Sequence, residues 1–278
     1  AFKKKGETKV EIYAEIAVGV YPEFAYKRAE EERELRNKLK SYVVRNDGEL
    51  IGDVYKVEYM SQLYNEIMKF GENMDEVDLI IEYFYKYTDE ELEKAKMFWL
   101  NPTRSYIQSK DYNDYPCDTC GRRILKDVDI IKVGKKVKGG RPRKMFKFGA
   151  GIEELLCVSA DLYNYFLDNG VNSEDFRPVY CGKEMQGYAF TPIEEYDVIS
   201  SVYEYRICES CGREYALYDI PKGYHPEKFE LRELIDFSAH DVYKTKVYYD
   251  REQRILISPK LFKLMKNYIK DNEYKAIF

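Results

Sequence analysis

The sequence predicts an α+β fold in two parts: an N-terminal α+β region over 1–110, then a duplicated α+β domain over 111–278 stapled by two cysteine knuckles. Three observations lead there. Val10, Ile12, Ala14, Ile16, Val18 and Val20 alternate strictly with other residues, the pattern of a half-buried strand. Cys-x-x-Cys-Gly-Arg occurs twice, at Cys117–Cys120 and Cys208–Cys211. After each copy, in the same order, come a strand end, a serine and an amphipathic helical pattern.

The elements follow in order. Residues 23–40 are rich in Glu, Arg, Lys and Ala and predict a solvated helix. Asn46, Asp47 and Gly48 lie between Tyr42–Val44 and Leu50–Val54 and predict a hairpin. Met60, Leu63, Tyr64, Ile67 and Met68 form one helical face; Val77, Ile80, Ile81, Phe84 and Tyr85 form a second. Thr88 and Glu91 have the spacing of a capping box, opening a helix through Leu92, Ala95 and Trp99 that Asn101-Pro102 ends. Further on, Ile130–Val133 and Met145–Phe148 predict a hairpin around Gly139-Gly140. Ser159 caps a helix with Leu162, Tyr165 and Phe166 on one face. Ser258 caps another, with Pro259 at its first position and residues 261, 264, 265, 268 and 269 on one face.

The two cysteine pairs carry the strongest chemical signal. Each offers two thiolates at knuckle spacing, and together they make the four soft ligands of a tetrahedral structural zinc site. The expected cofactor is therefore one structural Zn2+ on Cys117, Cys120, Cys208 and Cys211. Between Cys120 and Cys208 lie 87 residues, far more than in a simple zinc ribbon. The ion would join distant parts of the chain. A redox Cys-x-x-Cys should open a helix after a strand, whereas Cys117 follows the turn-like Tyr112–Pro116. Of the other two cysteines, Cys157 in Leu-Leu-Cys-Val reads as a small buried apolar residue.

A chain of 278 residues, 45% apolar and 34% charged, has the composition of a globular protein of one large or two ordinary domains. No run of 18 apolar residues predicts a membrane span, and the opening Ala-Phe-Lys-Lys-Lys lacks a signal-peptide core. Cysteines paired for metal point to a reducing, cytoplasmic setting.

Charge is uneven. Residues 47–93 hold fourteen acidic side chains and three lysines. Tyrosines interleave with them on what read as short helices. Acid with tyrosine suits a surface that meets a basic protein, and Glu72, Asp75, Glu76, Asp78, Tyr83 and Tyr87 are the candidate contacts. Residues 132–147 instead hold eight basic residues and no acid. There Arg141, Arg143 and Lys144, in Gly-Arg-Pro-Arg-Lys, are similar to the core of a minor-groove hook. That offers an alternative reading as a zinc-dependent DNA-binding regulator. A net charge of -5 argues against a general nucleic-acid role.

The double cysteine pair resembles that of the double-CXXCG motif proteins. The matching positions are Cys117–Gly121, Leu162–Phe166, Arg177-Pro178-Val179, Cys208–Gly212 and Ser258–Leu261, with the ending Ile277-Phe278. The resemblance covers residues 112–278 and leaves the N-terminal region outside it. It implies a bacterial, cytoplasmic, immunity-type protein that binds and neutralises a cognate protein toxin without catalysis. For an enzyme, a third possibility, nothing nominates catalytic residues. His225 and His240 stand in no metal-spaced or nucleophile motif, and no phosphate loop, dinucleotide fingerprint or nucleophile elbow occurs.

Overall fold

The computed structural model describes residues 10–20, 25–46, 53–71, 77–101, 106–108, 114–120, 123–125, 129–133, 144–149, 154–218, 225–233, 236–237, 239–249, 252–270 and 273–278. The chain forms two compact units, Ala1–Glu91 and Leu92–Phe278. This boundary falls earlier than the 110 expected from the sequence, because residues 97–100 supply a strand to a sheet of the second unit.

The first unit runs β1 (Glu11–Val20), α1 (Ala25–Leu39), β2 (Val43–Asn46), β3 (Asp53–Glu58), α2 (Gln62–Phe70) and β4 (Val77–Lys86). The sheet order is β2-β3-β1-β4, with every neighbouring pair antiparallel. This is the split βαβ connectivity βαββαβ. Ala14, Ile16 and Val18 of β1 and Tyr55 and Val57 of β3 pack under Leu35 and Leu39 of α1 and under Tyr64, Ile67 and Phe70 of α2. The helix α2 starts where Ser61 accepts the Tyr64 N–H at 3.1 Å.

Two sequence expectations fail here. Residues 77–86 form a strand and not a helix: Leu79, Ile81 and Tyr83 face the helices while Ile80 is exposed. The Ile- and aromatic-rich run satisfies either periodicity, and ten register pairs with β1 decide for the strand. Of the acidic residues of 47–93, Asp53, Glu58, Asp78 and Glu82 accordingly lie on strands, and Glu66, Asp89, Glu90, Glu91 and Glu93 lie on helices. The Thr88 cap forms as expected, with Glu91 accepting the Thr88 N–H at 2.7 Å, but α3 (Asp89–Lys94) stops early. The apolar run Met97–Leu100 becomes β5, buried at all four positions. An edge-to-edge partner on either side favours extension over another helical turn.

The second unit continues with β6 (Tyr106–Gln108), β7 (Asp114–Pro116), β8 (Arg123–Leu125), β9 (Ile131–Lys132), β10 (Met145–Gly149) and β11 (Glu154–Val158). Next are α4 (Ala160–Asp168), β12 (Phe176–Cys181), β13 (Glu184–Phe190), β14 (Glu195–Tyr196), β15 (Val198–Ser200), β16 (Tyr203–Ile207) and β17 (Glu214–Tyr218). The unit closes with β18 (Phe229–Leu231), β19 (Val242–Tyr249), β20 (Glu252–Ile257), α5 (Pro259–Met265) and β21 (Tyr274–Ile277). One sheet is ordered β6-β10-β11-β13-β12-β9; another is ordered β16-β17-β19-β20-β5-β21, with β14 beside β19. The pairs β7-β8 and β15-β18 stand apart. The hairpin expected between 130–133 and 145–148 does not form. Strand β9 joins β12 in parallel, three strands away from β10.

Each large sheet carries one helix. Tyr163 of α4 stacks on Tyr188 of β13 at 3.6 Å, and Phe262 of α5 stacks on Phe98 of β5 at 3.6 Å. Of the predicted α4 face, Leu162 and Phe166 are buried, whereas Tyr165 is exposed. Gly187 of β13 has φ 150°, and a Cβ there would overlap the Val158 carbonyl and the Phe146 ring, so the close passage of β13 beside β11 needs glycine.

Candidate metal centre

Each cysteine pair lies in the turn of a β-hairpin. Pro116 of β7 pairs with Arg123 of β8, and Ile207 of β16 pairs with Glu214 of β17. Six residues therefore separate the last paired positions in both cases. In the second turn the Cys208 N–H donates to the Arg213 carbonyl at 2.9 Å, and the Gly212 N–H to the Cys208 carbonyl at 2.8 Å. Gly212 has φ 67°, the left-handed conformation that admits glycine without strain.

The two turns meet face to face. Cys117 Sγ lies 3.9 Å from Cys208 Sγ, and Cys120 Sγ lies 3.8 Å from Cys211 Sγ. Between them the Thr119 and Ser210 hydroxyls hydrogen-bond to each other. All three contacts link residues 91 apart in sequence, and so do the paired positions that flank the turns. The four sulfurs lie within 4.8 Å of one another and could hold a metal ion. All four cysteines are free, and the cross-turn separations are nearly twice the roughly 2.05 Å of a disulfide. Thus the four residues picked out by spacing do converge, across 87 intervening positions.

The surroundings favour thiolates. Main-chain N–H groups of Cys120 and Thr119 point at Cys117 and lower its pKa. At Cys208 the Cys211 N–H, aided by that of Ser210, outweighs burial and pushes the thiol down to about 6. The Arg213 guanidinium follows the second turn, donates to the Tyr248 hydroxyl and lies 5.4 Å from that ring's centre. Cys157 differs: fully buried in β11, its thiol is pushed up by desolvation. It packs with Val179 and Ala189, the apolar role its sequence context predicted.

Glu72, Asp75 and Glu76 lie outside the described residues, and Asp78 falls on β4. Tyr83 is turned toward the helix-covered side, where its hydroxyl meets that of Tyr64 at 2.8 Å. Tyr87 is half-buried and stacks on Tyr85. Arg141 and Arg143 lie outside the described residues, and Lys144 pairs with Asp161 at 3.3 Å.

One polar cluster had no sequence signal. His240 Nδ1 lies 2.9 Å from Oδ1 of the fully buried Asp175. Beside it Asp241 accepts from Ser258 Oγ at 2.5 Å and from Lys260 Nζ at 2.8 Å, and Lys260 also donates to the Gly170 carbonyl at 2.7 Å. Asn172 Nδ2 donates to the Ala239 carbonyl at 3.0 Å. These bonds tie the α4–β12 connection to the entrance of β19. Burial raises the Asp175 pKa to about 6, against the pull of His240 toward ionisation.

No protein-family model, curated protein or solved structure matches the chain. Among the described residues no helix is long and apolar enough to cross a membrane.

Proposed function

We propose that the chain is a non-enzymatic, immunity-type protein that binds and neutralises a cognate protein toxin, with its second unit stapled by one structural zinc ion. The observation that carries the reading is the closed set of four thiols. A zinc ion with bonds of about 2.3 Å to four sulfurs in a tetrahedron requires sulfur–sulfur edges of about 3.8 Å. The two cross-turn distances of 3.9 and 3.8 Å fit that requirement. Four protein ligands fill a tetrahedral ion, so no position is left for substrate or water. The metal then serves folding and not turnover.

The binding half of the reading is supported by the resemblance to the double-CXXCG proteins and by the acidic, tyrosine-bearing N-terminal unit, whose charge suits a basic partner. Two measurements test it. Elemental analysis of the purified chain is expected to find about one zinc per molecule, and a cell producing the cognate toxin is expected to survive when this chain is co-expressed. Survival that does not depend on the chain, or protein free of zinc, contradicts the corresponding half.

A further inference from the structure

In the second unit β16 is the outermost strand of its sheet. On one side it pairs with β17, and on the other no described strand pairs with it. The knuckle turn shows which backbone groups face outward. The Cys208 N–H donates inward, to the Arg213 carbonyl. Backbone groups alternate sides along a strand, so those of Arg206 and Glu204 also serve β17. Those of Tyr205 and Ile207 point out of the sheet. The Ile207 side chain is 69% exposed, and those of Glu204 and Arg206 are exposed as well. The strand is anchored to its own unit through Tyr205, whose hydroxyl accepts the Ser200 N–H at 2.6 Å and donates to the Ser200 carbonyl at 2.9 Å.

An open edge is a template for another strand, and the order of charges on this one says which strand fits. The edge reads Tyr203-Glu204-Tyr205-Arg206-Ile207, with opposite charges placed symmetrically about Tyr205. A two-fold axis at Tyr205 lays a second β16 antiparallel beside the first. Glu204 then falls opposite Arg206 of the second copy, Arg206 falls opposite its Glu204, and the exposed Ile207 falls opposite its Tyr203. The outward N–H and carbonyl of Tyr205 exchange hydrogen bonds with their counterparts. An axis at Glu204 would instead set glutamate against glutamate, and one at Arg206 arginine against arginine, and like charges directly opposite destabilise a sheet. Glu204 and Arg206 already bridge within the strand at 3.0 Å. Across the axis the two bridges close into a ring of four alternating charges, a network worth more than isolated surface pairs.

We infer that β16 is a self-association edge, on which two copies of this chain pair antiparallel about Tyr205 and join their sheets into one. The contact is isologous, the same strand serving on both copies. A strand of five residues buries little area, so the dimer is weak and concentration-dependent. The occupant is a second copy because the strand's own sequence supplies the complementary charges in register. This association stands apart from the proposed toxin binding, and neither requires the other.

The test is sedimentation of the full-length chain, under reducing conditions, at concentrations up to about 1 mM. The parent is expected to pass from monomer to dimer as concentration rises. Glu204→Lys leaves only cations on the edge and Arg206→Glu leaves only carboxylates, so each variant alone is expected to dimerise about tenfold more weakly. Mixed in equal amounts, the two variants are expected to dimerise with each other as the parent does, because each cation of one then faces a carboxylate of the other. Ile207→Pro removes an outward N–H that the chain's own sheet does not use, and is expected to leave only monomer with an unchanged circular dichroism spectrum. It decides the matter if a charge variant fails to fold. A parent that stays monomeric, a dimer indifferent to these substitutions, or charge variants that do not pair when mixed overturns the inference. A monomeric parent that captures a strand of another protein on this edge overturns it as well.

Discussion

The two units solve the same problem by different means. The first lays two helices across four strands, and its core runs continuously from Leu39 of α1 through Ile16 of β1 to Ile67 of α2. Among the described residues it has no cysteine. The second divides its strands among two large sheets and two isolated pairs. The pair β7-β8 is only three residues long on each strand, too little to stand alone in water. It is held where its turn meets the turn of β16-β17. Among the described residues, the Thr119–Ser210 hydrogen bond and the four clustered thiols join the two turns. The lesson is that a staple appears where sheet continuity is missing.

Removing the proposed metal is the strongest way to break this comparison. Chelation, or Cys208→Ser, is expected to unfold the β7-β8 hairpin and expose much of the second unit, because metal binding on the order of 10 kcal/mol is coupled to folding in such sites. Hydrogen exchange read segment by segment is the check. Protection over β1–β4 should persist; its loss along with the second unit would mean that the units do not fold separately. Cutting into the first core should produce the opposite pattern. Ile67 is fully buried, and Ile67→Ala is expected to cost about 2–5 kcal/mol in the first unit, leaving metal content unchanged.

The polar staple sharpens the contrast most gently. Asp175 has its folded pKa raised by burial to about 6, above the ordinary aspartate range. Its contribution is therefore full below the unfolded pKa and declines as pH rises toward and through 6. Between pH 5 and pH 7.5 this amounts to about 1 kcal/mol. Asp175→Asn keeps an acceptor for His240 but cannot ionise, so its stability relative to the parent should rise by that amount over the interval. Urea melts at the two pH values measure it, and an equal offset at both would remove Asp175 as the titrating group.

Much of this was legible beforehand, for local reasons. The alternation from Val10 to Val20 announced β1, and Ser159 and Ser258 announced their helices: both accept an N–H three residues on, at 3.3 and 3.1 Å. The cysteine spacing announced the cluster of four thiols. Strand β4 was illegible because its apolar residues fit a helical face as well as a strand, and only the partner strand decides. Strand β5 was illegible because a capping box marks where a helix begins and not how far it runs. The expected duplication is not confirmed: the cysteine-bearing hairpins and the Ser-capped helices recur, but the sheets around them differ in strand order.

The sequence by itself determined which residues could ligate a metal, where helices begin, and which segments must be buried, since these follow from side-chain chemistry and short-range periodicity. Tertiary structure alone decided that Cys117 meets Cys208, that Asp175 meets His240, and that Glu15 stands opposite Glu82. Those pairings depend on strand order and register, which are fixed by the burial of whole faces and by contacts between residues tens of positions apart. No local pattern encodes them, because each strand's edge offers the same backbone donors and acceptors to any partner that packing brings beside it.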